Sequence, residues 1–139
     1  MAAMTNYLAD KLLNHVLRNT AYTSPTTVYL SLYTADPTRT GSHTNECAGT
    51  GYARKALTFG APSDSGTAEE VANSALVDFG TGNDDWGTLS HWAIEDASTV
   101  GNMLFSGHLK DAGGADTTKT IQTGDPVTAA IGALTVSLL

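Results

Sequence analysis

The sequence predicts a mainly β protein, an antiparallel β-sandwich or barrel of about seven short strands preceded by one amphipathic α-helix. Short runs of alternating apolar and polar residues recur along most of the chain. Turns rich in Gly, Pro, Asn and Asp separate these runs, and only residues 5–18 repeat apolar residues at helical spacing. At 139 residues the chain is expected to form a single domain.

The predicted helix occupies about residues 5–18. Thr5 can cap its first turn, and Leu8, Leu12 and Val16 repeat at four-residue steps. An isolated helix of this length is marginal in water and needs a surface to pack on. That surface is either the protein's own sheet or a neighbouring subunit.

The β body is expected to extend over about residues 26–139. Its first strand alternates aliphatic residues with a second face that carries Tyr29 and Tyr33. Those two tyrosines are covered by a second core layer or by a helix, or they form a patch between subunits. The strand ends at Asp36-Pro37, and residues 38–51 form a polar stretch without periodicity, which we expect to project from the body as a loop. The seven predicted strands span residues 26–34, 52–59, 74–79, 89–96, 103–109, 119–122 and 127–139, the last with a bend at Gly132-Ala133.

The strands at 89–96 and 103–109 form a predicted hairpin around which the body is built. If Asp96 lies opposite Met103, Gly107 lies opposite Trp92 and leaves room for its indole ring. One face then carries Trp92, Ile94, Met103, Phe105 and Leu109, and we expect it to be core. The other carries His91, Ala93, Glu95, Leu104, Ser106 and His108. This second face is too polar for a sealed interior but too apolar for a fully solvated surface, so we interpret it as a contact surface.

Charge and composition argue against several classes of partner. Fourteen acidic against seven basic residues give a net charge of −7, and Arg54-Lys55 is the only adjacent basic pair, so nucleic-acid binding is not expected. No apolar run reaches membrane-spanning length, and the N-terminus lacks the features of a signal peptide. We therefore expect no membrane partner and a cytoplasmic protein until assembly. The lone Cys47 is either a small loop residue or a site of pairing between copies.

No residue pattern predicts catalysis, a cofactor or a metal. His91 and His108, with Glu95 on the same face, could bind a divalent cation, but paired histidines on a sheet more often lie at a surface or interface. The Gly82–Asp85 loop could offer oxygens to Ca²⁺, yet ordinary turn chemistry explains it better. The chain has neither a Gly-x-Ser-x-Gly elbow nor a phosphate-binding loop, so we expect no enzyme.

Four blocks of sequence, in order, carry a resemblance to a known group of proteins. They are TNYLADKLLNHVLRNTAYTSPTTVYLSLYTADPT, GYARKALTF, DDWGTLSHWAIEDASTVGNMLFSGHL and TIQTGDPVTAAIGALTVSLL. Together they cover nearly the whole chain, and they resemble a widespread group of small tailed-phage virion proteins whose members are often labelled tail fibre proteins. The resemblance implies a non-enzymatic structural component of a virion, made in the host cytoplasm.

Within that structural class, we expect a capsid decoration (cement) protein that stabilises the shell. The alternative is a tail, baseplate or tail-fibre component, although the short chain without fibrous repeats or coiled coil argues against a fibre shaft. A third hypothesis is a carbohydrate-binding module with Trp86, beside Asp84 and Asp85, as its site.

The expected partners are further copies in a symmetric homo-oligomer, with a trimer favoured, and either the major capsid protein or tail proteins. The residues predicted to make these contacts lie on the helix, the first strand and the second face of the hairpin. They are Leu8, Leu12, Val16, Tyr29, Tyr33, His91, Glu95, Leu104 and His108.

Overall fold

The computed structural model describes residues 2–138 as one helix and twelve short strands, all pairing antiparallel. The elements are β1 Ala3–Met4, α1 Asn6–Arg18, β2 Val28–Tyr33, β3 Lys55–Leu57, β4 Ser63–Asp64, β5 Glu69–Ala72, β6 Val77–Thr81, β7 Gly87–Leu89, β8 His91–Glu95, β9 Met103–His108, β10 Lys119–Ile121, β11 Pro126–Ala129 and β12 Thr135–Leu138. The mainly β, antiparallel fold with an N-terminal helix is therefore confirmed. The final residue of the last predicted strand, Leu139, lies outside the described residues.

The structure has more strands than the seven predicted. The two-residue strands β1 and β4 are too short to alternate, and β5 (EEVA) begins with two charged residues, so periodicity could not reveal them. The last predicted strand is split into β11 and β12 around Gly132, whose φ of +77° favours glycine, at the expected bend.

Helix α1 begins and ends with conventional caps. The Oγ1 atom of Thr5 accepts a hydrogen bond from the backbone N–H of Leu8 and donates one of 2.6 Å to the carbonyl of Met103 in β9. Asn19, in the left-handed conformation, ends the helix. Thr5 therefore caps α1 as predicted and also attaches it to the sheet. Within residues 2–138, no helix is both long enough and apolar enough to cross a bilayer.

The largest sheet has five strands in the order β1-β9-β8-β2-β3. Its apolar face packs against three smaller sheets, β10-β7, β11-β6 and β12-β5-β4. The core between these layers contains Leu8, Leu30, Leu32, Cys47, Leu57, Val77, Phe79, Trp86, Leu89, Ile94, Leu104, Ile121, Leu134 and Val136.

The β8–β9 hairpin keeps the predicted register over most of its length. His91 lies opposite His108, and Trp92 lies opposite Gly107. A Cβ atom at Gly107 would lie 2.7 Å from the indole ring of Trp92, so the glycine does make room for it.

The register shifts between Ile94 and Glu95, so that Glu95 rather than Asp96 lies opposite Met103. The shift leaves Leu104 as an extra, unpaired residue in β9. It reverses the faces expected for Met103 and Leu104. Met103 packs with Tyr33 and Ala93 on the second face, whereas Leu104 joins the main core. The prediction that Met103 is on the core face and Leu104 on the contact face is therefore wrong.

Residues 34–51, which we call the strap, lie against the second face of the large sheet. The backbone N–H of Cys47 donates to the carbonyl of Leu32 at 2.8 Å, and that of Asn6 donates to the carbonyl of Arg39 at 2.8 Å. Pro37 and Cys47 are buried. The prediction that residues 38–51 project from the body is thus wrong, because this polar segment finds hydrogen-bond partners on the sheet.

The buried side chain of Asn73 joins two turns, the one that follows β5 and the one between β11 and β12. Its Nδ2 atom donates to the carbonyls of Ala75 at 2.9 Å and Ala130 at 2.8 Å, and its Oδ1 atom accepts from the backbone N–H of Leu134 at 2.9 Å. The turns that follow β5 and β11 are held together by this one amide.

Replacing Asn73 with Ala should lower the free energy of unfolding by about 2–4 kcal/mol, since backbone groups lose buried partners. Urea denaturation measures the change. Ser74→Ala, next to it but exposed, should stay within about 0.5 kcal/mol of wild type. A loss in Asn73→Ala no larger than in this control would contradict the assignment.

Candidate functional site

The second face of the β8–β9 hairpin is buried. Tyr33, Ala93 and Glu95 have no solvent exposure, and His91 and Ser106 have almost none. The strap reaches this face through His43, whose Nε2 atom lies 3.0 Å from Oε2 of Glu95. The interpretation of this face as a surface is therefore wrong, and Tyr33, His91, Glu95 and Leu104 are not free to contact another molecule in this fold.

Glu95 is the centre of a polar network beneath the strap. Its Oε1 atom accepts hydrogen bonds from the Tyr33 hydroxyl at 2.8 Å and the Ser31 hydroxyl at 2.9 Å. Its Oε2 atom lies 3.0 Å from Nε2 of His43 in the strap and 3.7 Å from Nη1 of Arg54. A buried carboxylate is costly unless it is paired and hydrogen-bonded, and here the partners come from strand, strap and the segment before β3.

Tyr33 donates to this carboxylate as a neutral phenol. Burial, and next the charge of Glu95, raise the pKa of the Tyr33 hydroxyl well above its usual range. The proton therefore stays on the tyrosine, where Glu95 needs a donor.

Arg54 connects the strap to the tip of the β8–β9 hairpin. Its Nε and Nη2 atoms each lie 2.7 Å from a carboxylate oxygen of Glu46, and its Nη1 atom donates to the carbonyls of Ala97 at 3.0 Å and Val100 at 2.8 Å. Burial by itself would lower the pKa of Arg54, but the hydrogen bonds to Glu46 and the charge of Glu95 outweigh it and raise the pKa. A fully charged guanidinium thus holds the hairpin tip in place.

The hairpin tip, residues 97–102, presents an apolar side chain from a strained backbone. Val100 has a φ of +54°, and its side chain is 81% exposed. A β-branched residue at positive φ is a genuine outlier, with a strain of about 1–3 kcal/mol. Arg54 and a hydrogen bond of 2.7 Å from the N–H of Asn102 to Asp96 Oδ1 maintain this conformation. The tip is therefore rigid and already formed.

His91 and His108 lie against each other on adjacent strands, as the predicted register requires, with their ring planes tilted by 46°. Their ring centroids are 3.8 Å apart, and the Ser90 hydroxyl lies 2.8 Å from His91 Nδ1. Burial, and next the proximity of His108, lower the pKa of His91. Glu95 bonds to Tyr33 instead of completing a metal site, and among residues 2–138 no group of three His, Cys, Asp or Glu side chains is placed to hold a metal ion.

Trp86, the predicted sugar-binding residue, is buried in the core. Its Nε1 atom donates to the carbonyl of Thr50 at 3.0 Å, and its ring packs edge-on against Tyr52. The adjacent Asp84 and Asp85 accept hydrogen bonds from backbone N–H groups of neighbouring turns. The proposed sugar site is therefore wrong, and the acidic loop uses its carboxylates as turn caps.

Helix α1 packs on the body with only part of its apolar stripe. Leu8 is buried and Leu12 is partly buried against the main core. Leu13, Val16 and Leu17 remain 59%, 72% and 74% exposed. Val16 therefore lies outside the contact that Leu8 and Leu12 make with the chain's own sheet. Tyr29 is half-buried.

A cleft of about 610 Å³ opens between the large sheet and the smaller sheets. Its floor includes Leu30, Leu32 and Phe79 from the core, and Lys110 and Lys119 lie on its rim. A second, smaller groove of about 340 Å³ is almost entirely apolar and is flanked by Glu69 and Glu70.

The histidine pair predicts a pH dependence of folding stability. Because the pKa of His91 is lowered in the fold, the unfolded chain binds its proton more readily, so stability is full above the unfolded value of about 6.5 and falls as pH drops below it. His91→Gln should reduce the loss of stability between about pH 7 and 5, as measured by urea midpoints. His15→Gln, on the exposed side of α1, is the control. An unchanged slope in His91→Gln would rule out this contribution.

Comparison with known proteins supplies the family. A search of curated proteins gave no match. A family model described as podophage GP4 fiber I protein gp80 matches residues 3–137. The match covers nearly the whole chain and confirms the resemblance to phage virion proteins of the tail-fibre type. The chain is therefore a structural protein that belongs to the podophage GP4 fiber I protein gp80 family.

Proposed function

We propose that this chain is a building block of a phage tail fibre and that it works by packing rather than by chemistry. The observation that carries the proposal is the match to a fibre protein family over residues 3–137. A fibre family favours the tail alternative over the capsid decoration that we expected first. Other tail and fibre proteins are then its partners.

The structure supports a mechanical role in one respect. Glu95, Arg54 and Glu46 are paired across strand, strap and hairpin tip, so these segments are held together by charge-assisted hydrogen bonds. A body fixed in this way keeps its exposed surfaces at constant positions relative to one another, as a repeated structural unit requires.

The outer face of α1 is the surface that we propose for assembly into a symmetric homo-oligomer, with a trimer favoured. Leu13, Val16 and Leu17 are spaced so that they form one apolar patch on the helix, and all three are exposed. Helices pack on one another through such patches, and closed symmetry buries every copy of the patch. Of the nine residues predicted at interfaces, Val16 is the most exposed.

Cryo-electron microscopy of purified virions tests the fibre assignment. We expect density for this chain on the tail. Density at three-fold or quasi-three-fold positions of the capsid would instead support decoration of the shell, and density at neither place would reject the virion role.

Replacing Val16 with Asp should dissociate the oligomer, raising its dissociation constant at least about tenfold, because a charge would be buried at a helix contact. Since Val16 is exposed in the single chain, the variant should still fold, with a circular dichroism spectrum like that of wild type. Light scattering coupled to gel filtration measures the mass. Asn6→Asp adds the same charge at an exposed position of α1 and should leave the mass unchanged. Equal masses for wild type and Val16→Asp would exclude this face.

A further inference from the structure

The hairpin tip and the large cleft lie at opposite ends of the β8–β9 hairpin. The tip joins Glu95 to Met103, whereas Trp92, Leu109 and Lys110 at the other end line the cleft. The six residues of β9 span roughly 20 Å at the usual rise of a strand. A protruding surface and a concave surface thus occupy two distant ends of one rigid element.

The tip has the character of a preformed ligand. Residues 98–100 are exposed, Val100 is the most exposed large apolar side chain of the described residues, and Arg54 fixes its backbone carbonyl. Asn or Gly would adopt the same backbone without the strain that Val100 imposes. A strained position that nevertheless presents an apolar side chain to solvent points to a contact that uses that side chain.

The cleft has the complementary character. Its lining includes the partly buried apolar residues Leu109, Val127 and Ala129, which gain van der Waals contacts when the space is filled. Lys119 on its rim forms no ion pair within residues 2–138, in a protein with a net charge of −7. The tip and its flank, Asp96 to Asn102, contain one acid and no base. The smaller groove, flanked by Glu69 and Glu70, would repel such a tip.

We propose that the hairpin tip of one copy, led by Val100, inserts into the large cleft of a second copy. The two surfaces differ and face opposite ways along the hairpin, so the contact is heterologous, and each copy that is added presents a new free tip or cleft. Such a contact adds copies head to tail, in contrast to the closed oligomer formed through α1. The inference deepens the proposed fibre role and rests on it.

Val100→Asn tests the tip. Asn tolerates a positive φ better than Val does, so the melting temperature should rise, while the dissociation constant for head-to-tail growth should increase at least about tenfold. Sedimentation velocity over a range of concentrations of the full chain measures growth. Leu76→Asn removes another exposed apolar side chain and should leave growth unchanged. Wild-type growth in Val100→Asn would overturn the proposal.

Ala129→Trp tests the cleft, because Ala129 is half-buried in its lining and an indole would occupy the space. This variant should also fail to grow. Lys119→Glu, at an exposed rim position, provides a second test that does not disturb packing and should weaken growth at low salt. Wild-type growth in both variants would overturn the proposal.

Mixing the two variants distinguishes a heterologous contact from a symmetric one. Val100→Asn retains an intact cleft and Ala129→Trp retains an intact tip. With Val16→Asp added to both variants to prevent the closed oligomer, an equal mixture should form pairs that stop at one tip-to-cleft contact. No pairing in the mixture, where each variant alone fails to grow, would reject tip insertion.

The head-to-tail contact and the proposed function fail in different ways. If Val100→Asn loses head-to-tail growth but keeps the closed oligomer, the tip contact is supported. That conclusion does not depend on whether Val16→Asp dissociates the closed oligomer. Capsid density in the virion would reject the fibre role and leave tip-dependent growth of the purified chain still measurable.

Discussion

The structure depends on the pairing of one buried negative charge, that of Glu95. Its carboxylate has no contact with solvent, and removal of its partners would leave an uncompensated charge in the interior. His43 and Arg54 can reach it only when the strap lies on the sheet and Arg54 lies beneath the hairpin tip. The second face, the strap and the tip therefore adopt their arrangement together.

Much of the fold could be predicted because it follows from local patterns. Apolar residues about four apart predicted helix α1, and Thr5 before them predicted its cap. Alternation at a spacing of two predicted the strand that ends at Tyr33 and, with the turn, the pairing of Trp92 with Gly107. The bulge at Leu104, opposite Glu95, could not be predicted, since one additional residue in a strand leaves the alternation on either side intact. That single residue exchanges the environments of Met103 and Leu104.

The candidate site was harder to predict than the fold. His43 and Glu46 come from a polar segment without periodicity. Their partners lie elsewhere in the sequence, since His43 pairs with Glu95 and Glu46 pairs with Arg54. A polar strand face indicates a surface unless its partners are known. Trp86 shows the same difficulty, because an aromatic residue beside two acids resembles a sugar site until Thr50 is found to accept its indole N–H.

The burial of Cys47, which lies within the strap, has a chemical consequence for a virion protein. Once released from the cell, a particle meets an oxidising medium, in which exposed thiolates form cross-links between proteins. Cys47 is buried, and that burial raises the pKa of its thiol, so the reactive thiolate is both scarce and out of reach. A cross-link through Cys47 would therefore require the strap to open first.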